Sequence, residues 1–330
     1  MTVNRRTVVV ALVLGVLSAP LVTEAQQAGK VYRIGVLSVA SRAASLHLIE
    51  AFEQGLRDRG YVEGRNISLE YRFGEGRPER LPDMAAELVR LKVDLIVAAN
   101  DGHVRAARQA TTTIPIVMFL AADPVGEGLV ASLARPGGNI TGLTTDVTLE
   151  TWGKRLQLLK ELVPKISRVA VLSNSTFRPN AARWKPTQDA ARKLGVTLLP
   201  AEIRGPDDLQ SAFATMVRES AEGFIVFQDP VTSARRSQIA ELAAKNRLPA
   251  VWPSREGTDA FGLVSYGPDR LHLVRRAAIY IDKILQGAQP GDLPMEQPTK
   301  LELAVNLRTA KALGLTIPPS FLARVDHVVE

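Results

Sequence analysis

The sequence predicts an α/β protein of two Rossmann-like lobes with parallel sheets, joined by a three-segment hinge. Three observations carry this reading. Apolar runs of strand length alternate with helical stripes through both halves of the chain, the pattern of parallel sheets covered on both faces. A strand followed by Asp-Pro occurs twice, at Asp123-Pro124 and at Asp229-Pro230, which suggests two related lobes. The C-terminal tail holds one strand–helix unit and one further strand, too little for a third domain. It therefore returns to the first lobe and crosses again to the second. The expected division is a leader at 1–25, a first lobe of 31–143 with 267–294, and a second of 144–266 with 295–330.

In the first half, Val31–Ser38 reads as a strand ending in a polar turn. Leu46, Ile49, Phe52 and Leu56 then recur at helical spacing. Ile67–Arg72 alternates as a strand does, and Leu81, Met84, Leu88 and Leu91 give a second helical stripe. Val93–Ala99 is a strand that ends at Asn100-Asp101-Gly102, with a short helix to Thr111. Ile114–Leu120 is a buried strand. Asp123 offers a capping oxygen, and Pro124 loses no hydrogen bond at a first helical position, so a helix is expected over Val125–Ala134. Ile140–Leu143 is a short strand running into Thr144-Thr145-Asp146.

The second half repeats the pattern. Helices are expected over Leu149–Val163, Asn180–Leu194, Pro206–Ser220 and Thr232–Asn246. Strands are expected over Arg168–Ser173, Val196–Leu199, Gly223–Phe227 and Pro249–Trp252. In the tail, Gly262–Tyr266 is a strand, and Leu271, Val274, Ala278, Ile281 and Leu285 line one face of a long helix. A turn-rich connector, Gly287–Pro294, leads to a strand, Leu301–Asn306, and a short helix, Leu307–Leu313.

The first residues have the form of an export leader. Arg5-Arg6 precede an apolar run, Thr7–Pro20, and Thr23-Glu24-Ala25 place small residues at a cleavage site. The run falls short of the roughly 20 apolar residues of a membrane span, and the absence of Cys argues against a lipid anchor. The expected destination is the periplasm, as a monomer free of the membrane. That compartment permits disulfides, yet the 330 residues include no Cys. A chain of this length buries enough core without them. The 41 Lys and Arg against 34 Asp and Glu give a net charge of +7. They are scattered among acidic neighbours, which describes a solvated surface rather than a nucleic-acid footprint.

Catalytic constellations are mostly missing. There is no Cys nucleophile, and the four His residues stand apart with no metal-ligand spacing. No glycine-rich phosphate loop follows the first strand, where the chain reads SVASRA. Neither a cofactor nor a metal is expected. The remaining candidates are the strand-end residues, because ligands of open α/β sheets sit beyond the carboxyl ends of the strands. These are Ser38, Ser41, Asn100, Asp101, Asp123 and Thr144 on one wall, and Asn174, Asp229, Trp252 and Tyr266 on the other. Short hydrogen-bonding side chains with two aromatics suit a zwitterionic or polyhydroxylated solute. Each has a structural use as well: Asp123 and Asp229 as helix caps, Ser38 and Asn174 as turn residues, Trp252 as core, Tyr266 as a hinge wedge. Arg255 and Glu256 would then pair with each other at the surface.

The chain resembles the ABC-transporter substrate-binding proteins of the tryptophan/tyrosine-transporter type. The resemblance runs from VYRIGVLS at 31 to the end. It is carried most specifically by QGLRDRGYVEGRNISLEYRFGEG, DPVGEGLVASLARPGGNITGLT and EQPTKLELAVNLRTAKALGLTIPPSFLARVD. It implies a type I periplasmic binding protein with an interlobe ligand, delivering to the transmembrane subunits of an ABC permease. Ser38, Asp123, Asn174, Asp229 and Tyr266 match recurrent family positions. The chain departs from the family at Asn100-Asp101-Gly102, where a Gly-Thr-Pro turn is common, at Phe261-Gly262, where two glycines are common, and over Trp252–Asp259. These departures line the expected pocket, so the resemblance does not make the ligand an aromatic amino acid. The rival reading is a secreted α/β enzyme such as a racemase or isomerase. The lack of Cys and of a His–carboxylate motif argues against it. A sugar-repressor-like regulator would need a DNA-binding helix pair where the leader stands.

Overall fold

The computed structural model describes residues 30–145 and 148–330. The predicted leader and Asp146 lie outside the described residues. Among the described residues, no helix is long and apolar enough to cross a membrane.

Two sheets organise the chain. The first contains β1 (Tyr32–Ser38), β2 (Ile67–Phe73), β3 (Leu95–Ala98), β4 (Ile116–Ala121) and β5 (Ile140–Thr144), in the order β2-β1-β3-β4-β5. All its pairings are parallel. The second contains β6 (Arg168–Asn174), β7 (Thr197–Ile203), β8 (Gly223–Val226), β9 (Ala250–Trp252), β10 (Val264–Pro268), β11 (Leu301–Asn306) and β12 (His327–Val329). Its order is β12-β11-β10-β9-β8-β6-β7. The stretch β7-β6-β8-β9-β10 repeats the topology of the first sheet, and β11 adds antiparallel to β10. The lobe is repeated, but the two Asp-Pro turns are not equivalent within it: Asp123 follows the fourth strand, β4, whereas Asp229 follows β8, the counterpart of β3, where the first lobe has the cap Asn100.

Helices cover both faces. The first lobe carries α1 (Arg42–Arg57), α2 (Leu81–Arg90) and α3 (Asp101–Ala110). The second carries α4 (Glu150–Leu162), α5 (Asn180–Leu194), α6 (Leu209–Arg218), α7 (Pro230–Ala234), α8 (Arg236–Lys245) and α9 (Arg255–Asp259). The long tail helix α10 (Arg270–Leu285) returns to the first lobe and packs on α1, β4 and β5. Leu273, Val274, Ala277, Ala278, Ile281 and Ile284 bury one stripe there, each large side chain contributing about 1.5–3 kcal/mol of transfer free energy. Tyr61 donates to Asp282 at 2.9 Å, and Tyr280 to the Pro294 carbonyl at 2.7 Å. The first bond ties α10 to the first lobe, and the second ties the following segment to α10. Short helices α11 (Leu307–Leu313) and α12 (Pro319–Leu322) complete the second lobe.

Three segments pass between the lobes: the chain after Thr144, the step from Pro268 to Arg270, and the stretch from Glu296 to Leu301. The first and third lie side by side, with Thr144 N–H donating to the Glu296 carbonyl at 2.9 Å. Asp269 N–H reaches the Lys300 carbonyl at 3.4 Å.

One expected element does not form. Val125–Ala134 is a series of turns. Asp123 Oδ1 accepts from Gly126 N–H at 2.8 Å and starts a turn, but Gly128 adopts φ +64° and turns the chain left-handed within one turn of the start. A single helical turn has too few hydrogen bonds to persist against such a break. The helix after Asp229 is likewise cut, at Arg235, into α7 and α8.

Candidate functional site

The residues expected on the first wall lie around the carboxyl ends of β1, β3, β4 and β5. Ser38 Oγ accepts from Ala40 N–H at 3.2 Å, and Ser41 Oγ caps α1 by accepting from Ala44 N–H at 3.2 Å. Asn100 caps α3, its Oδ1 accepting from Gly102 and His103 N–H. His103 is 2 % exposed. Its Nε2 accepts from Val39 N–H at 2.7 Å, and its Nδ1 faces Asn100 N–H at 3.3 Å. Burial pushes its pKa down to about 4. Asp101 is 4 % exposed. Its Oδ2 accepts from Ala122 N–H at 2.8 Å, while Oδ1 has no hydrogen-bond partner among the described residues. Burial pushes this carboxyl up. Thr144, at the end of β5, is buried beside the first crossing.

The residues expected on the second wall lie on or just after β6, β8, β9 and β10. Asn174 and Asp229 are both buried and meet each other, Asn174 Nδ2 donating to Asp229 Oδ1 at 3.4 Å. Asp229 Oδ1 also accepts from Val231 N–H at 2.7 Å and Thr232 N–H at 3.2 Å, and Oδ2 lies 3.2 Å from Thr232 Oγ1. Its carboxylate is thus occupied as the cap of α7. Trp252 is core, 3 % exposed. Its ring is clasped by Gly257 and Gly262, where an added Cβ would stand 2.2 and 2.3 Å from ring atoms. Tyr266 is half-buried against the second core, and its carbonyl accepts from Arg155 Nε at 2.7 Å.

A cavity of about 380 Å³ opens between the lobes on the α1 side. The first lobe contributes His47 of α1 and Arg270 and Leu271 of α10. The second contributes Arg236 of α8, Arg255, Glu256 and Asp259 of α9, Ala260, and Glu302 of β11, with Asp269 on the crossing. Arg255 pairs with Asp259 at 3.4 Å, and Glu256 with Arg270 at 3.1 Å. The surface pairing expected between Arg255 and Glu256 is thus replaced by a pair within α9 and a pair across the lobes. Burial raises the Glu256 carboxyl, but the Arg270 guanidinium and hydrogen bonds outweigh it and leave the pKa below the usual glutamate value. Glu302 is pushed up to about 7 by burial and then by the neighbouring Asp269 carboxylate. Burial lowers His47, with Arg236, Arg270 and Arg255 adding to the effect.

The family described as ABC transporter substrate binding protein matches residues 33–329. The chain belongs to that family. A tyrosine-binding protein of Clostridioides difficile is 27% identical over 283 residues, covering 86% of this chain and 81% of the relative. Among solved structures, a conserved domain protein of Vibrio cholerae superposes with a TM-score of 0.83 at 27% identity, covering 91% of this chain and 100% of that one. A Streptococcus pneumonia ABC domain in complex with L-Trp gives the same TM-score at 23% identity and the same coverage. The fold is that of type I periplasmic binding proteins.

In this substrate-binding protein none of the ten predicted residues lines the 380 Å³ cavity. Sequence reasoning read Arg255 and Glu256 as a surface pair and passed over His47, Arg236, Asp259, Asp269, Arg270 and Glu302, because these charged side chains are scattered from 47 to 302. It also passed over two buried arginines. The Arg155 and Arg183 guanidinium carbons lie 4.0 and 4.5 Å from the Trp152 ring centroid, and Arg183 Nη1 donates to the Gln228 carbonyl at 2.6 Å. An Arg three residues after Trp on a helix was the available signal, since that spacing puts both on one face.

Proposed function

We propose that this protein is an extracytoplasmic solute receptor of an ABC importer. It takes a small polar ligand, an amino acid or related carboxylate, between its lobes and delivers it to the permease. In this reading the leader is removed at export, the mature chain acts as a monomer, and no chemistry is done on the ligand. The observation that carries the reading is the repeated lobe: two parallel sheets of the same strand order with charged and hydrogen-bonding groups between them, tied by three crossing segments. That construction lets ligand binding draw rigid lobes together. A relative named for tyrosine binding supports the amino-acid class.

The test is a thermal-shift panel of amino acids, small carboxylates, sugars and nucleosides on the mature chain. A true ligand at a hundredfold excess over Kd adds about 2.7 kcal/mol to stability, a rise of several degrees. No shift with any class counts against the reading. Turnover of the tightest binder in a racemisation or hydrolysis assay would favour an enzyme.

A further inference from the structure

The ion pairs of the interlobe cavity leave one cation and one acid over. Arg255 is matched by Asp259, Arg270 by Glu256, and Asp269 by Lys300 at 3.9 Å. Arg236 has a different kind of partner: its Nη1 donates to the Ser233 carbonyl at 3.3 Å, and it meets no carboxylate among the described residues. The Glu302 side chain has neither a hydrogen bond nor an ion pair among the described residues, its backbone lying in the β10–β11 pair. Both face the same cavity, yet they do not pair with each other.

We propose that this cavity is the ligand site, taking a small zwitterion whose carboxylate binds Arg236 and whose ammonium binds Glu302. The assignment rests on the receptor reading above and moves the ligand from the strand-end residues to the α1–α9 flank of the cleft. A half-buried carboxyl beside Asp269 and Glu256 is in a like-charge setting, and burial with those neighbours holds its pKa near 7. Arg255 and Lys300 oppose this shift without cancelling it, and an incoming ammonium adds the direct counter-charge that neither of them supplies as an ion pair. A guanidinium without a carboxylate is the matching half, since its planar fork binds a carboxylate through two parallel hydrogen bonds. His47 reaches the same space from the other lobe, held neutral by burial and the surrounding arginines, and can hydrogen-bond the ligand without adding charge. Ala260 and Leu271 are the aliphatic part of the described lining. The site therefore selects separated charges on a small body rather than an aromatic ring.

Isothermal titration on the full chain tests this with glycine, L-alanine, L-serine, L-glutamine, L-tyrosine and L-tryptophan. Each is compared with its deaminated acid and its decarboxylated amine. The expected result is that small zwitterions bind tightest. Arg236→Gln and Glu302→Gln each weaken them tenfold or more. Glu302→Gln leaves the deaminated acids unchanged, and Arg236→Gln leaves the amines unchanged. That crossed pattern is not produced by a variant that merely loosens the fold. If either Gln variant fails to fold, Arg236→Lys or Glu302→Asp replaces it, with the same crossed pattern expected. Zwitterion binding that both variants leave intact overturns the assignment while the receptor reading stands, and so does tightest binding of an aromatic amino acid. Silence of all these probes overturns the assignment as well; the receptor reading falls with it only if the wider panel is silent too.

Discussion

Two residues sit in environments that the chain does not favour. Phe261 closes α9 in a left-handed turn with φ +73°. Its N–H donates to the Thr258 carbonyl, and Gly262 N–H to the Gly257 carbonyl, the two bonds of a Schellman cap in which Gly usually takes the Phe261 place. The left-handed conformation costs a side-chain residue about 1–2 kcal/mol, and the ring is 62% exposed, so little packing offsets it. Gly gives back part of the gain through backbone entropy. Phe261→Gly should therefore stabilise the protein by about 0.5–1 kcal/mol in chemical denaturation; a loss would mean that the ring packs against something. The second residue is Asp101, whose open Oδ1 costs about 1–3 kcal/mol when buried without a donor. Asp101→Asn keeps an acceptor for Ala122 N–H and removes the charge. Because burial raises the folded-state pKa, wild-type stability at this site is greatest below the unfolded value of 3.8 and is lost as pH rises through the folded one. The Asn variant should melt higher at pH 7, and that advantage should shrink toward pH 3.

At the scale of elements, His103 fastens the N-terminus of α3 to the end of β1 through Val39 N–H. Its folded pKa of about 4 lies below the ordinary 6.5, so the unfolded chain takes up a proton first as pH falls. Stability from this contact is complete above pH 6.5 and declines toward pH 4, a span worth about 3 kcal/mol. His103→Gln, which offers Val39 an acceptor that does not titrate, should flatten that part of the stability–pH curve; an unchanged slope would assign it to other groups. Much of this element-level structure was legible in the sequence. Period-two runs such as Ile67–Arg72 and the stripe of α10 follow burial directly, and the alternation of strands and helices in both halves exposed the lobe repeat, although the two Asp-Pro turns follow non-equivalent strands. The helix over Val125–Ala134 was misread because its Asp-Pro start is sound and the break comes from Gly128. The edge strand β12 escaped because its three residues owe their form to Ala304–Asn306 of β11. The cavity was illegible for a related reason: α1, α8, α9, α10 and β11 bring its charges together, and no local pattern marks which Arg meets which acid.

At the scale of the molecule, the lobes should rotate as rigid bodies about the three crossings, after Thr144, from Pro268 to Arg270 and from Glu296 to Leu301, with the cavity's charges deciding how readily the lobes part. The last two lie one step along the chain from the expected Tyr266–Pro268 and Pro294–Pro298, because β10 holds the former and the first lobe holds Met295 and Glu296. Gly267 lets β10 lie against the Pro253 carbonyl, where an added Cβ would stand 1.8 Å from the oxygen, so the entry to the second crossing has little room to deform sideways. The pair of Glu256 on α9 with Arg270 on α10 spans the gap at 3.1 Å, both side chains 20% exposed. Partial exposure limits such a pair to about 1 kcal/mol, which is still about fivefold in the ratio of closed to open lobes. Arg270→Gln removes the pair from the first-lobe side and leaves Glu256 with its Ser254 contact. Without ligand, the variant should give a larger radius of gyration in solution scattering than the wild-type protein. Saturating ligand should bring both to the same compact value, because ligand contacts outweigh one exposed pair. Affinity should fall severalfold, by the extra free energy needed to close. High salt should expand the wild-type protein toward the variant, since a half-exposed pair is screened within a Debye length of about 3 Å at 1 M. Equal radii at low salt would show that the pair does not hold the lobes together, and that closure rests on the apolar contacts around the crossings.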